Sequence, residues 1–251
     1  MSHTINYIVF DLEFNQDFSS QQTIDKQLIH HPFEIIQIGA IKFDANLNPL
    51  ASFNRFVKPS IYTNINSYIT QLTGITTEQL LTEESFPEVY KAYTAFIGAT
   101  DSIFCIWGMS DIKVLFQNAN YHQLNANLLP KAYINIQPYV SLHFDLPKNQ
   151  LLGLQNAVEA LQIPLAHSFH NALNDAYYTA EIFKKINPFA MQPKLYDPHY
   201  ILLRPKQPKR EIDFNRLITQ FEKMYDRTIT KEEQEIISLA YQMGRTNQFL
   251  K

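Results

Sequence analysis

The residue order predicts an α/β fold: one mixed five-stranded sheet flanked by helices, followed by a small C-terminal helical extension. Three observations carry that expectation. Three short β-rich runs separated by turns open the chain, two more strand-like runs follow with helical periodicity between them, and a proline-punctuated stretch then sets off a purely helical pattern.

The elements are read in order. Tyr7-Ile-Val-Phe10 is the first strand run. Ile35 to Phe43 and Ser52 to Val57 supply two more, joined by the turn-like Asp44-Ala-Asn-Leu-Asn-Pro49. Phe86, Val89, Tyr90, Tyr93, Phe96 and Ile97 recur at helical spacing, and Ile103 to Trp107 is a continuous apolar strand. Ile112 to Tyr121 reads as a helix, Tyr133 to Gln137 as the fifth strand. Helices are expected near Leu152 to Leu161 and from Ala172 to Ile186, the latter with a small-residue stripe of Ala172, Ala176, Thr179 and Ala180 closed by Phe183. Strands joined by short turns pair antiparallel and strands separated by a helix pair parallel, hence a mixed sheet.

Beyond this core, Pro188, Pro193, Pro198, Pro205 and Pro208 mark a linker. Leu217, Ile218, Phe221 and then Ile236, Ile237, Leu239, Ala240 and Met243 suggest a short helical pair, and Thr230-Lys-Glu-Glu233 has the form of a capping box. The expected division is 1–187 for the sheet domain, 188–212 for a Pro-rich basic linker and 213–251 for the extension.

Composition narrows the function classes. Hydrophobic residues at 45% and charged residues at 18% are those of a globular chain, which excludes a disordered or fibrous one. No apolar run approaches the roughly 18 residues that cross a bilayer, and a lone Cys105 forms no internal disulfide. A soluble, cytoplasmic protein without a membrane partner is expected. The net charge of -3 gives no global sign of a polyanion partner, but its distribution does. Between Lys184 and Lys231 there are 11 Lys/Arg against five Asp/Glu, leaving an acidic body beside a basic tail region. That arrangement suits a polyanion held at an acidic metal site, and equally a solvated linker face.

Asp11-Leu-Glu-Phe14 closes the first strand. Residues two apart on a strand share a face, so Asp11 and Glu13 converge. Like charges so placed repel unless a cation lies between them, and hard divalent ions take carboxylate oxygens while keeping positions open for phosphate oxygens. Asp111 follows the fourth strand in Trp107-Gly-Met-Ser-Asp111, at the carboxyl end where open α/β sheets bind ligands; Ser110 or Asp111 capping the next helix is the alternative. His170 lies five residues before Asp175, which is not a same-face helical spacing. The histidine is therefore expected in the loop entering the last core helix and the aspartate inside it.

In order and spacing, DLEF, EIIQIGAIKFD from Glu34, FVKP ending at Pro59, LTGIT from Leu72 to Thr76, WGMSD, and GLQNAVEALQI leading to H-x4-D resemble the DEDDh exonucleases of the ribonuclease-H-like superfamily. The resemblance covers roughly residues 5 to 187, and the Trp107-Gly108 pair is most similar to the branch that trims RNA 3′ ends. It implies a 3′-to-5′ exonuclease acting on single-stranded RNA or DNA 3′ ends and releasing nucleoside 5′-monophosphates by a two-metal mechanism. Two divalent cations, Mg²⁺ or Mn²⁺, would be held by Asp11, Glu13, Asp111 and Asp175, with His170 as the base that takes a proton from the attacking water, since imidazole titrates near neutrality. It does not indicate protein partners.

The resemblance also implies substrate contacts from Leu72, Thr73 and Gly74, through backbone amides and an apolar wedge. Phe14 either stacks on the terminal base or belongs to the core, and Trp107 is read as packing. His167, His143 and His122 are read as structural. Phe14 stands where family members commonly have a hydroxyl residue, and Gln37 where many have Glu. Two other functions are consistent with the sequence: a nucleic-acid-binding module on a catalytically weak exonuclease fold, and a phosphodiesterase for very short oligonucleotides.

Overall fold

The computed structural model describes residues 5–16, 33–99, 101–147, 149–186, 188–198 and 213–245. The chain divides into two compact units, 1–200 and 201–251.

In the first unit, β1 (Asn6–Asn15), β2 (Glu34–Phe43) and β3 (Pro49–Phe56) form an antiparallel meander. After α1 (Ser67–Thr73), α2 (Thr77–Leu80) and α3 (Phe86–Ile97), the strand β4 (Ser102–Ile106) pairs parallel to β1. It leads through α4 (Ser110–Tyr121) to β5 (Ala132–Asn135), again parallel. Helices α5 (Gln137–His143), α6 (Leu154–Ala160) and α7 (Ala172–Lys185) follow, then β6 (Lys194–Leu195).

The sheet order is β3-β2-β1-β4-β5-β6, so the mixed sheet has six strands where five were expected. The sixth, antiparallel to β5, spans two residues inside the stretch read as a linker. Two residues are too few for an alternating pattern to register. The fifth strand also ends earlier than its apolar run implied: Gln137 begins α5, with Pro138 in the first turn, where a missing amide costs nothing. The short α1 and α2 went unread for the same reason of length.

Side-chain alternation divides the core. Ile8, Phe10 and Leu12 of β1 pack with Phe104 and Ile106 of β4 under α3 and α4. Val9 and Cys105 face the other way, toward α6 and α7. Asp11 and Glu13 continue the second set along β1, so the same period that builds the core carries two carboxylates to the α7 face beyond it. Between Glu13 and Phe14 the register slips so that Ile36 has no partner on β1. The bulge turns Ile36 into a third cluster with Ile65, Ile75 and Leu80, beneath the α1–α2 segment.

The second unit contains α8 (Phe214–Tyr225) and α9 (Lys231–Arg245). Its capping box forms as expected: Glu233 accepts the Thr230 amide at 2.9 Å and Thr230 Oγ1 accepts the Glu233 amide at 3.3 Å. Residues 199–212, most of the expected linker, lie outside the described residues. Among those described, no helix is long and apolar enough to cross a membrane.

Candidate functional site

Asp11, Glu13 and Asp175 come together, with one carboxylate oxygen of each within 4.8 Å of the others. The first two reach the site by strand alternation. The third reaches it because α7 packs on β1 and β2 through its small-residue stripe, in which Ala172, Ala176, Thr179, Ala180 and Phe183 are all buried.

Approach at the start of α7 is closer than any side chain on β2 would permit. A Cβ at Gly39 would stand 2.1 Å from the Ala172 carbonyl carbon and from the Leu173 nitrogen. Beside it, the fully buried Gln37 accepts the Ala172 amide on Oε1 at 3.2 Å and donates Nε2 to Asn54 at 2.9 Å. Gly39 and Gln37 are the β2 partners of Asp11 and Glu13. The helix that delivers Asp175 is thus docked against the residues facing the other two carboxylates. Gln37 was noted in the sequence only as a substitution; its signal was a polar residue inside the apolar run EIIQIGAIKF.

Asp111 sits in the first turn of α4, which packs on the opposite face of the sheet from α7. The N-cap is Met109 and no side chain caps the helix, so the capping alternative does not hold. The backbone amides of Asp111 itself and of Leu12 instead lower its proton affinity. The pairing of β4 with β1 ends at Val9 and Cys105, before β1 reaches Asp11. Asp111 lies outside the tightest trio, yet its charge raises both Asp11 and Glu13.

Burial and mutual repulsion dominate the electrostatics. Asp11 is held well above the usual carboxylate range, first by burial and then by the charges of Asp111, Asp175 and Glu13. Burial, then Asp175 and Asp111, push Glu13 up to about 8. Burial also raises Asp111, against the opposing Leu12 amide, and lifts Asp175 to about 6, against the amide of His170. Among the described residues, no cationic side chain enters as a cause at any of the four. A divalent cation among them would reverse every one of these shifts. The donor set fits such an ion: hard oxygens only, converging, and with Asp175 Oδ1 buried and accepting no hydrogen bond.

His170 stands in the loop before α7, as its spacing to Asp175 implied, with its residue exposed and its backbone at φ 61. Its amide donates to Asp175 Oδ2 at 3.1 Å. The surrounding loop is pinned from both ends. Tyr178 Oη accepts the His167 amide at 2.8 Å and donates to the His167 carbonyl at 2.6 Å, Asn174 donates to the Ser168 carbonyl, and Asn171 caps α7. His167 therefore has a structural place, and so does His122, whose ring lies 5.1 Å from that of Phe86.

The expected substrate contacts are less concentrated. Phe14 is half-buried against the first core cluster, 5.0 Å from the ring of Phe33. Leu72, Thr73 and Gly74 form the end of α1, which lies against β1. The Gly74 amide donates to Thr70, and the Thr73 hydroxyl donates to Ile69 while accepting the Ile75 amide. Of the amide and wedge contacts expected there, the wedge is the one left free: Leu72 is 37% exposed. Asn15 anchors this segment, bonding the Asn64 carbonyl and the Asn66 amide at 3.0 Å each. Glu34 is engaged by the amides of Ser60, Ile61 and Tyr62 and holds the same loop. Trp107 packs against the second cluster.

The RNase_T family model, described as Exonuclease, matches residues 8–183. A DNA polymerase III PolC-type of Thermotoga maritima is 31% identical over 157 residues, 60% of this chain and 10% of that protein. ERI1 exoribonuclease 3 of Mus musculus is 27% identical over 176 residues, 66% of this chain and 51% of that one. The chain thus spans between a tenth and about half of these curated relatives. Among solved structures, the nuclease domain of 3′hExo, a DEDDh family member bound to rAMP, superimposes with a TM-score of 0.61 at 21% identity, covering 78% of this chain and 96% of that one. E. coli exonuclease I in complex with a dA16 oligonucleotide gives 0.57 at 13% identity, covering 75% and 42%.

Proposed function

The chain belongs to the RNase_T exonuclease family, and from that premise we propose that it is a metal-dependent 3′-to-5′ exonuclease releasing nucleoside 5′-monophosphates from single-stranded RNA or DNA. The observation that carries the reading is the convergence of Asp11, Glu13 and Asp175 with no cationic side chain among the described residues to balance them. Asp111, which senses the same charges, completes the set that would hold two divalent cations, Mg²⁺ or Mn²⁺. When bound, these ions supply Lewis acidity at the phosphate and a site for an ionisable water.

The protein's own groups do the rest. The amide of His170 ties its loop to Asp175, and the residue's exposure leaves the imidazole able to turn toward the carboxylates. From there it takes the proton of the water attacking phosphorus, as the bond to the preceding 3′-oxygen breaks. Leu72 and Phe14 are the apolar surfaces offered to the terminal nucleotide. The lone, buried Cys105 fits a reducing, cytoplasmic setting.

The test is release of mononucleotides from 3′-labelled single-stranded RNA and DNA with Mg²⁺ or Mn²⁺, for the wild type, Asp11→Ala and His170→Ala. Stepwise release by the wild type and loss of most turnover in both variants is expected. Binding without release at any substrate length would replace this reading with that of a binding module, and release from dinucleotides alone with that of a short-oligonucleotide phosphodiesterase.

A further inference from the structure

The second unit is firmly specified at its ends and turn. Asp213 accepts the Arg216 amide at 2.9 Å and caps α8, Asp226 closes that helix with a left-handed backbone, and the capping box opens α9. Across the turn, Arg227 bonds Glu233 through both guanidinium nitrogens, at 2.8 and 2.6 Å, and Glu222 accepts the Ile229 amide at 3.2 Å. The rings of Phe214 and Tyr241, 5.7 Å apart, join the far ends, so the two helices run antiparallel.

Its core is thin by comparison. Among the described residues of this unit Ile229 alone is buried, and Met224, Tyr225, Ile236 and Leu239 are between 57% and 67% exposed. On α9, Ile237 and Tyr241 are four apart on the side that meets Phe214, whereas Ile236 and Leu239, three apart, form a second apolar stripe. Two stripes on one helix call for two neighbours, and α8 is only one. Units below about 40 residues usually hold together through a disulfide, a metal or another chain. The single cysteine, Cys105, lies in β4, and the cluster of potential metal ligands found among the described residues is the carboxylate trio of the first unit. Another chain is what remains.

Charge indicates which chain. With Glu222 turned to the Ile229 amide and Arg227 to Glu233, α8 presents Arg216 and Lys223, seven residues apart and both exposed. On α9 the exposed Glu232 and Glu235 each stand four residues before a member of the second stripe, Ile236 and Leu239. Packing α8 on a second α8 would set cation against cation, and α9 on a second α9 acid against acid. A second copy related by a two-fold axis, with each α8 against the other's α9, opposes unlike charges at both contacts and covers both apolar stripes.

We propose that α8 and α9 are a dimerisation element, two copies of which pair as a four-helix bundle. The inference stands on the second unit alone and does not depend on the nuclease reading.

The test is the mass of the full chain in solution, followed by sedimentation equilibrium at micromolar concentration. The wild type should run at twice the chain mass. Ile236→Glu combined with Leu239→Glu should weaken the dimer at least about 30-fold, the loss of one interface anchor. Because a change on an apolar face can also unfold the helices, two charge variants at exposed positions accompany it: Arg216→Glu with Lys223→Glu, and Glu232→Lys with Glu235→Lys. Each alone places like charges at both contacts and should weaken the dimer at least about tenfold. Mixed in equal amounts the two should recover it, as a heterodimer captured through a tag on one of them. A monomeric wild type overturns the proposal, whatever other protein or nucleic acid the element then binds. So does a dimer as tight in either charge variant as in the wild type, or a mixture of the two that stays monomeric.

Discussion

Gly39 of β2 and Ala172 of α7 meet backbone to backbone, with the place a Cβ would take at Gly39 lying 2.1 Å from the Ala172 carbonyl carbon. Because Gly39 pairs with Asp11, this contact sets how near Asp175 comes to the first-strand carboxylates. Gly39→Ala forces main chain rather than a side-chain tip to move. The expected outcome is a loss of stability of about 1–3 kcal/mol, as in overpacked cores, and of about 100-fold in nuclease activity, as for a displacement of an ångström at a reacting site. Denaturant midpoints and turnover measured well below the transition check both; full activity in a destabilised variant would separate the contact from the site.

Metal-free protein should lose stability as pH rises. The four carboxylates bind protons more tightly in the folded state than in the unfolded chain, where they titrate near 4. Their proton-linked contribution is fully present below that value and declines as pH rises through about 6 for Asp175 and about 8 for Glu13. In a chelator, Tm is expected to fall between pH 5 and pH 8, and Mn²⁺ or Mg²⁺ to restore it most at the alkaline end. Asp175→Asn should flatten both the pH slope and the metal response; a chelated protein more stable at pH 8 than at pH 5 would contradict the electrostatics described.

His170 combines a left-handed backbone with an exposed imidazole, and two substitutions separate them. His170→Ala and His170→Gly should both lower kcat by about 10² to 10⁴, the range for removing a general base. Only His170→Gly relieves the positive φ, so it should be the more stable of the two, by about 0.5–1 kcal/mol. Comparable thermal stability in both variants would mean that the loop does not hold this φ in solution.

Gln37→Leu keeps the volume and removes the acceptor for the Ala172 amide at the start of α7. A buried donor without a partner costs about 1–3 kcal/mol, and the freed turn should lower activity more than a surface change does. Asn54→Ala leaves the Nε2 of the buried Gln37 without its acceptor but keeps the Ala172 amide bonded, so it should also cost up to about 1–3 kcal/mol while lowering activity less than Gln37→Leu does.

Much of the architecture was legible because it depends on neighbours. Ile35 to Phe43 reads as a strand from its composition, α7 as a helix from its small-residue stripe, and His170 as a loop residue from its distance to Asp175. Elements of a few residues gave no such signal. α1, α2 and β6 have too few positions for a period, and Gln137 belongs to a helix although its run began as a strand.

What the sequence by itself determined was the set of parts: Asp11 and Glu13 on one face of a strand, Asp111 opening a helix, and Asp175 inside another after a loop histidine. Only the tertiary structure brought Asp175 to the first-strand pair across bare backbone at Gly39 and set Asp111 beside Leu12 from the far side of the sheet. The reason is one of range. Backbone period and turn chemistry act over a handful of residues, whereas the approach of a helix to a sheet is decided by packing between segments more than a hundred residues apart, of which no local pattern carries a record.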